Sequence, residues 1–193
     1  MDIPKPSGKE KIIFEGSIFE IVKQPMKIGN KIKEFEFARR SPGIRLIIFK
    51  DRKLLLTKEF RPELNDYDYR LPGGKVFDTL KEYREALESK KDILKFAIEA
   101  AKKECIEEAG IKAKSIKLFQ IAKAGSTVVW DLFYFIVDDF EKTIKKLEKG
   151  EIVFPEWKIF EEAKQMCLDN KIKEDRSVGV LLRFLLMNEM KKK

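Results

Sequence analysis

At 193 residues, 44% of them hydrophobic, the chain has room for one domain with a real core. It is basic, with 41 Lys and Arg against 33 Asp and Glu and a net charge of +8, and it has no histidine. The lack of histidine excludes His-based zinc sites and Ser-His-Asp triads. Many basic residues sit beside acids, so the excess reads as a Lys/Glu-rich surface rather than a nucleic-acid footprint.

Taken in order, the N-terminal region reads as β at Ile12–Val22 and again at Lys31–Arg39. Ser41-Pro42-Gly43 is a turn signal. Ile44–Phe49 follows as a buried strand, and Lys53–Phe60 makes a hairpin with it across Lys50-Asp51-Arg52. Arg61–Asp68 reads as a loop. Thr79–Lys90 reads helical, with Leu80, Tyr83 and Leu87 near helical spacing, and a longer helix is expected over about Asp92–Ala109. Strands at Ile116–Ala122 and Val128–Val137, a charged helical turn at Glu141–Lys149, a strand near Ile152–Phe160 and two helices complete the chain. Trp157 is expected to pack between the sheet and those last helices.

Cys105 and Cys167 are far apart and read as intracellular thiols, not a disulfide framework; Cys105 is expected in the core. No secretory signal is visible, and the longest apolar stretch, Val178–Met187, is broken by Arg183 and too short to span a membrane. A cytoplasmic protein with no membrane partner is the expectation.

The most informative segment is Lys103–Ile111. It places Glu104, Glu107 and Glu108 at i, i+3 and i+4, on one face of a helix. Like charges at that spacing repel. Hard oxygen ligands suit Mg²⁺ or Mn²⁺, which would turn the repulsion into binding. Gly110 is a helix-stop signal, and Ala97, Ile98, Ala100, Ala101, Cys105 and Ile106 supply a small-residue apolar face. Upstream, Leu71-Pro72-Gly73-Gly74 reads as a rigid turn that brings backbone close to a ligand. A Gly-Gly turn followed by an acidic helix points to a phosphate and metal site.

These residues resemble the signature of the Nudix hydrolase family, G-x5-E-x7-R-E-U-x-E-E-x-G-U, where U is aliphatic. Lys103–Ile111 fills its second half, with Lys103 in place of Arg and Cys105 in the first aliphatic position, and Gly74 stands at the opening glycine. The resemblance implies an α/β fold: a Nudix-type α/β/α sandwich with a mixed sheet, plus a small N-terminal β-sheet segment. It implies Mg²⁺ (or Mn²⁺) held by Glu104, Glu107 and Glu108, a ligand from the Gly73 backbone, and Gly74 beside the substrate. Two departures stand out. Between Gly74 and Lys103 lie 28 residues where the signature has 13, an insertion at about 76–90. The first glutamate of the signature falls on Lys95, so its ion pair with the signature Arg cannot form. Glu82, Glu85, Glu88 and Asp92 are candidate substitutes.

The likeness extends toward the ADP-ribose pyrophosphatase branch. Arg61 stands at the Arg of that branch's Q-Y-R motif, which implies contact with phosphate or ribose; a surface ion pair is the competing reading. Glu161–Met166, Lys171-Ile172 and Asp175–Val178 are similar to the branch's helix, turn, helix ending. The branch implies residues 1–40 as an N-terminal β segment for dimerisation and 41–193 as the hydrolase domain, in a homodimer. It also implies a carboxylate to accept a proton from water, for which Glu108 and Glu151 are carried forward, with Glu148 next. Phe19, Phe35, Tyr69 and Trp130 are candidate rings for adenine, though each reads more readily as core.

Three functional readings follow. The favoured one is metal-dependent hydrolysis of a nucleoside diphosphate derivative, ADP-ribose to AMP and ribose 5-phosphate. The alternatives are a catalytically weak nucleotide- or RNA-binding module, and an enzyme of the same family acting on another nucleotide. In the favoured reading the partner is a nucleotide-derived small molecule.

Overall fold

The structure is a computed structural model that describes residues 2–145 and 153–190. It begins with β1 (Lys5–Pro6), β2 (Lys11–Glu15), β3 (Glu20–Ile28) and β4 (Lys31–Arg39). β3 and β4 pair antiparallel along their full length, from Glu20↔Arg39 to Ile28↔Lys31, and the chain reverses at Gly29, whose φ is +58°. The single strand expected over Ile12–Val22 is two strands. The Gly16 N–H donates to the Phe19 carbonyl at 2.8 Å and turns the chain between them.

β5 (Gly43–Lys50) and β6 (Lys53–Arg61) form the expected hairpin. Asp51 and Arg52 both have positive φ, the two-residue turn that matches strand twist. Ile44, Leu46 and Ile48 face one layer of core and Ile47 the other, which is why this strand reads as an apolar run interrupted only by Arg45. β7 (Asp66–Arg70) pairs back onto β6, so part of the expected loop is a hairpin.

The β5–β6 ladder covers only Phe49↔Leu54 and Lys50↔Lys53. Beyond it the strands splay, and Leu71–Val76 fills the gap. Leu46 N–H bonds the Pro72 carbonyl (2.8 Å), Ile44 N–H the Gly74 carbonyl (2.9 Å), and Val76 N–H the Pro42 carbonyl (2.9 Å). The rigid turn that the sequence suggests at Leu71–Gly74 is therefore an extended segment zipped along the open side of β5.

Two helices follow, α1 (Leu80–Glu88) and α2 (Ile93–Glu107), then β8 (Ile111–Ala113), β9 (Lys117–Ala122), β10 (Val128–Val129), β11 (Leu132–Val137), β12 (Phe140–Lys142) and β13 (Val153–Ile159). α3 (Phe160–Leu168) and α4 (Asp175–Met190) close the described chain. The central sheet runs β13-β6-β5-β11-β9, with β7 attached to β6. β5 and β11 are parallel and the other neighbours antiparallel, so the sheet is mixed. α2 covers one face through Ala97, Ala101 and Cys105; α3 and α4 cover the other through Phe160, Met166, Leu181 and Phe184. This is the expected α/β/α sandwich with added N-terminal strands. Among the described residues no helix is long and apolar enough to cross a membrane.

Three further expectations are corrected. The strand over Val128–Val137 is divided: β10 runs parallel to β4 in the N-terminal sheet, while β11 enters the central sheet. The break at Trp130-Asp131 lets one stretch of chain serve both sheets. Phe140–Lys142 is a strand rather than part of a charged helical turn, because β8 offers it an antiparallel partner; residues 146–149 lie outside the described residues. Trp157 pairs with Leu55, which faces α2, so the register carries it away from the terminal helices. It is 42% exposed and stacks on Phe140 at 6.1 Å.

Candidate active site

The site is built where β5 and β6 part. α2 starts with the Asp92 side chain accepting from the Leu94 N–H and lies against the sheet on Ala97, Ala101 and Cys105, one residue per turn. Side chains this small bring the helix close to β5 and the Gly-Gly segment. The next residues around the helix, Glu104, Glu107 and Glu108, then point along the split and line one cleft of about 370 Å³ with Gly73 and Gly74. Gly110, at φ +63°, ends the helix just beyond them.

The contacts are close. A Cβ on Gly74 would lie 1.8 Å from Glu104 Oε1, so only glycine leaves room for that carboxylate. A Cβ on Gly73 would meet the Ile44 carbonyl oxygen at 2.2 Å. The Gly73 N–H donates to Glu108 Oε2 at 2.7 Å. Glu107 Oε2 lies 3.5 Å from the Lys103 ammonium, an i,i+4 pair. The Pro72 and Gly74 carbonyls face β5, so in extended backbone the Gly73 carbonyl between them faces the other way. Cys105 lies wholly inside; burial, helped by the Glu104 charge, pushes its thiol up to about 12, as suits a core residue.

Among the described residues no three acidic side chains converge into a ready metal cage. The donor chemistry nevertheless suits a hard divalent cation: three half-buried carboxylates on successive positions of one face, opposite backbone with no side chain in the way. Glu107 is engaged by Lys103 and Glu108 by the Gly73 N–H.

The remaining expected residues are scattered. Arg61 ends β6, with its guanidinium 2.6 Å from Glu59, and is not among the cleft residues. Glu151 and Glu148 lie outside the described residues. Of the candidates to replace the signature glutamate, Glu82 closes the capping box of α1 with Thr79, and Asp92 caps α2. Lys95 is exposed. Trp130 already carries two guanidinium groups, Arg40 and Arg176, each 4.0 Å from its ring centre. Phe35 stacks on Phe37, Phe19 lies under Arg40, and Tyr69 lines a separate hollow with Lys158.

Sequence reasoning missed Lys75, Val76, Asp78, Phe96 and Glu99, which also line the cleft. Glu99 and Phe96 had a signal. They precede Lys103 and Glu104 by one and two helical turns on the same face.

The model of the NUDIX domain matches residues 39–178. The chain belongs to the Nudix family. No curated protein matches it significantly by sequence. Among solved structures, a protein described as an ADP compounds hydrolase superposes with a TM-score of 0.70 over 98% of this chain and 95% of that one, at 16% identity. That likeness concerns the fold. The Nudix architecture is consistent with a diphosphate-hydrolysing enzyme, and its signature helix here is α2, with the insertion forming α1 and the segments on either side of it.

Proposed function

We propose that this Nudix protein hydrolyses the diphosphate bond of a nucleoside diphosphate derivative in a divalent-metal-dependent reaction, with ADP-ribose giving AMP and ribose 5-phosphate as its substrate. The observation that carries this reading is the placement of Glu104, Glu107 and Glu108 in one cleft against Gly73-Gly74. The full-length likeness to an ADP compounds hydrolase supports the choice of substrate.

In this reading Glu104, Glu107 and Glu108 hold Mg²⁺ or Mn²⁺, with the Gly73 carbonyl as a further oxygen. The cation, when bound, neutralises diphosphate oxygens and makes water a stronger acid. Gly74 leaves room for the Glu104 carboxylate at the wall of the cleft, beside the substrate. Lys103 and Lys75, at the rim, offset the negative potential that five carboxylates (Asp78, Glu99, Glu104, Glu107 and Glu108) would present to an anionic substrate. Glu108 or Glu151 accepts the proton of the attacking water. Arg61 as a substrate contact would first have to leave Glu59. The N-terminal sheet is proposed as the surface of a homodimer.

The deciding experiment is release of AMP from ADP-ribose with Mg²⁺ or Mn²⁺, in wild type, Glu107→Gln and Glu108→Gln. Turnover that needs metal and falls at least a hundredfold in both variants is expected, about the effect of losing a charge-stabilising group at a reacting centre. No turnover on ADP-ribose, nucleotide sugars, dinucleotides, triphosphates or capped RNA would replace the hydrolase with a nucleotide-binding module.

A further inference from the structure

The insertion gives the cleft a second, chemically different end. α2 presents Phe96, Ala100, Glu104 and Glu107 at successive turns of one face, and all four line the same cleft. At the helical rise, Phe96 lies about 12 Å along the axis from Glu104. Opposite Phe96 stand Val76 and Asp78, from the start of the insertion. Phe77 turns inward, with its ring 5.0 Å from Phe96 and 5.6 Å from Tyr83, and so fixes the Phe96 ring from behind. Beyond Phe96 the cavity continues into a hollow of about 320 Å³, lined by Val76, Phe77, Ala86 and Phe96 with a polar rim.

This end is anchored. The Thr79–Glu82 capping box starts α1, and Arg84 from the same helix reaches the buried Glu20 at 2.5 Å. The wall beside Phe96 is therefore held at one end by the N-terminal sheet and at the other by the aromatic cluster.

We propose that the insertion makes this end of the cleft a nucleobase site, with Phe96 as the stacking ring. The inference rests on the hydrolase reading for its orientation: base at Phe96, phosphates at the carboxylates. A cleft with an aromatic, apolar end and a carboxylate end about 12 Å away fits a ligand with a flat ring at one end and an anion that carries metal at the other. A base, a ribose and two phosphates supply that sequence of chemistry and about that reach. Stacking on a phenyl ring tolerates any base, so the site selects nucleotides over base-free diphosphates rather than one base over another.

The test is calorimetric binding of ADP and of inorganic diphosphate, both with Mg²⁺, to wild type, Phe96→Leu and Phe96→Trp. Leucine fills the space against Phe77 without offering a ring. ADP binding is expected to weaken about tenfold in Phe96→Leu and to recover in Phe96→Trp, while diphosphate binding stays level. Equal loss for both ligands, unchanged ADP binding in Phe96→Leu, or no ADP binding by wild type would overturn the proposal. The two readings fail separately. Phe96-dependent ADP binding without hydrolysis of any substrate keeps the base site and removes the enzyme. Metal-dependent hydrolysis with Phe96→Leu binding ADP normally does the reverse.

Discussion

Gly73 and Gly74 are adjacent and both crowded, yet the two differ in what crowds them. The Cβ of an alanine at 73 would strike the Ile44 carbonyl, which belongs to the sheet and cannot move away. At 74 it would strike the tip of Glu104, a side chain that can rotate. Gly74→Ala is thus expected to keep stability within about 1 kcal/mol while displacing the carboxylate and lowering turnover at least tenfold, whereas Gly73→Ala loses more than about 2 kcal/mol. Denaturant unfolding alongside kcat separates the two. A Gly74→Ala enzyme with wild-type turnover would show that Glu104 need not occupy its observed position.

At the level of elements, the N-terminal sheet and the insertion are joined through one buried acid. Glu20, fully buried at the start of β3, receives Arg39 at 2.6 Å from β4 and Arg84 at 2.5 Å from α1. Each arginine holds a second, more exposed glutamate, Glu10 at 2.7 Å and Glu15 at 2.8 Å. Burial alone would lower the Arg39 pKa, but the two glutamates outweigh it and hold it above the ordinary value. Removing the central charge leaves two guanidinium groups facing one neutral amide. Glu20→Gln is expected to cost about 3 kcal/mol, and Arg84→Ala less, because Glu20 keeps Arg39. Urea unfolding of the two variants measures this; a loss below about 1 kcal/mol for Glu20→Gln would mean that the network carries little of the anchoring.

Across the whole molecule, the helical layer of α3 and α4 is tied to the sheet by a second buried charge group. Glu174, just before α4, accepts from Ser177 Oγ at 2.6 Å and pairs with Arg45 of β5 at 3.2 Å, while the Tyr134 hydroxyl lies 3.2 Å from Ser177 Oγ. Burial by itself would raise the Glu174 pKa. Arg45 and the Ser177 hydrogen bond outweigh that and hold it below its ordinary 4.5. Because the folded value is the lower one, its contribution to stability is complete above the unfolded value and disappears as pH falls through the folded one. Glu174→Gln is expected to flatten the acid limb of the stability curve below about pH 4.5 relative to wild type. Urea midpoints between pH 3 and pH 7 test this, and parallel curves for the two proteins would assign the acid limb to other carboxylates.

The parts legible in the sequence are those whose cause is local. The spacing of Glu104, Glu107 and Glu108 follows from the helical period, and the helix ends at Gly110 because a positive φ favours glycine there. Ile44–Phe49 announces itself as a central strand because both its faces are buried. What only the tertiary structure decided depends on segments that meet across the chain. Whether Leu71–Val76 turns or runs extended depends on β5 and β6 splaying and leaving hydrogen-bond partners open on β5. Where Val128–Val137 divides depends on β4 offering a free edge. Glu82 and Asp92 look like spare carboxylates until the helix starts they cap are in place. Phe96 gains its place only when the insertion folds back beside it and leaves it half-buried at the end of the cleft. Periodicity and backbone preference are written into neighbouring residues; strand pairing and competition for burial arise only when distant segments meet.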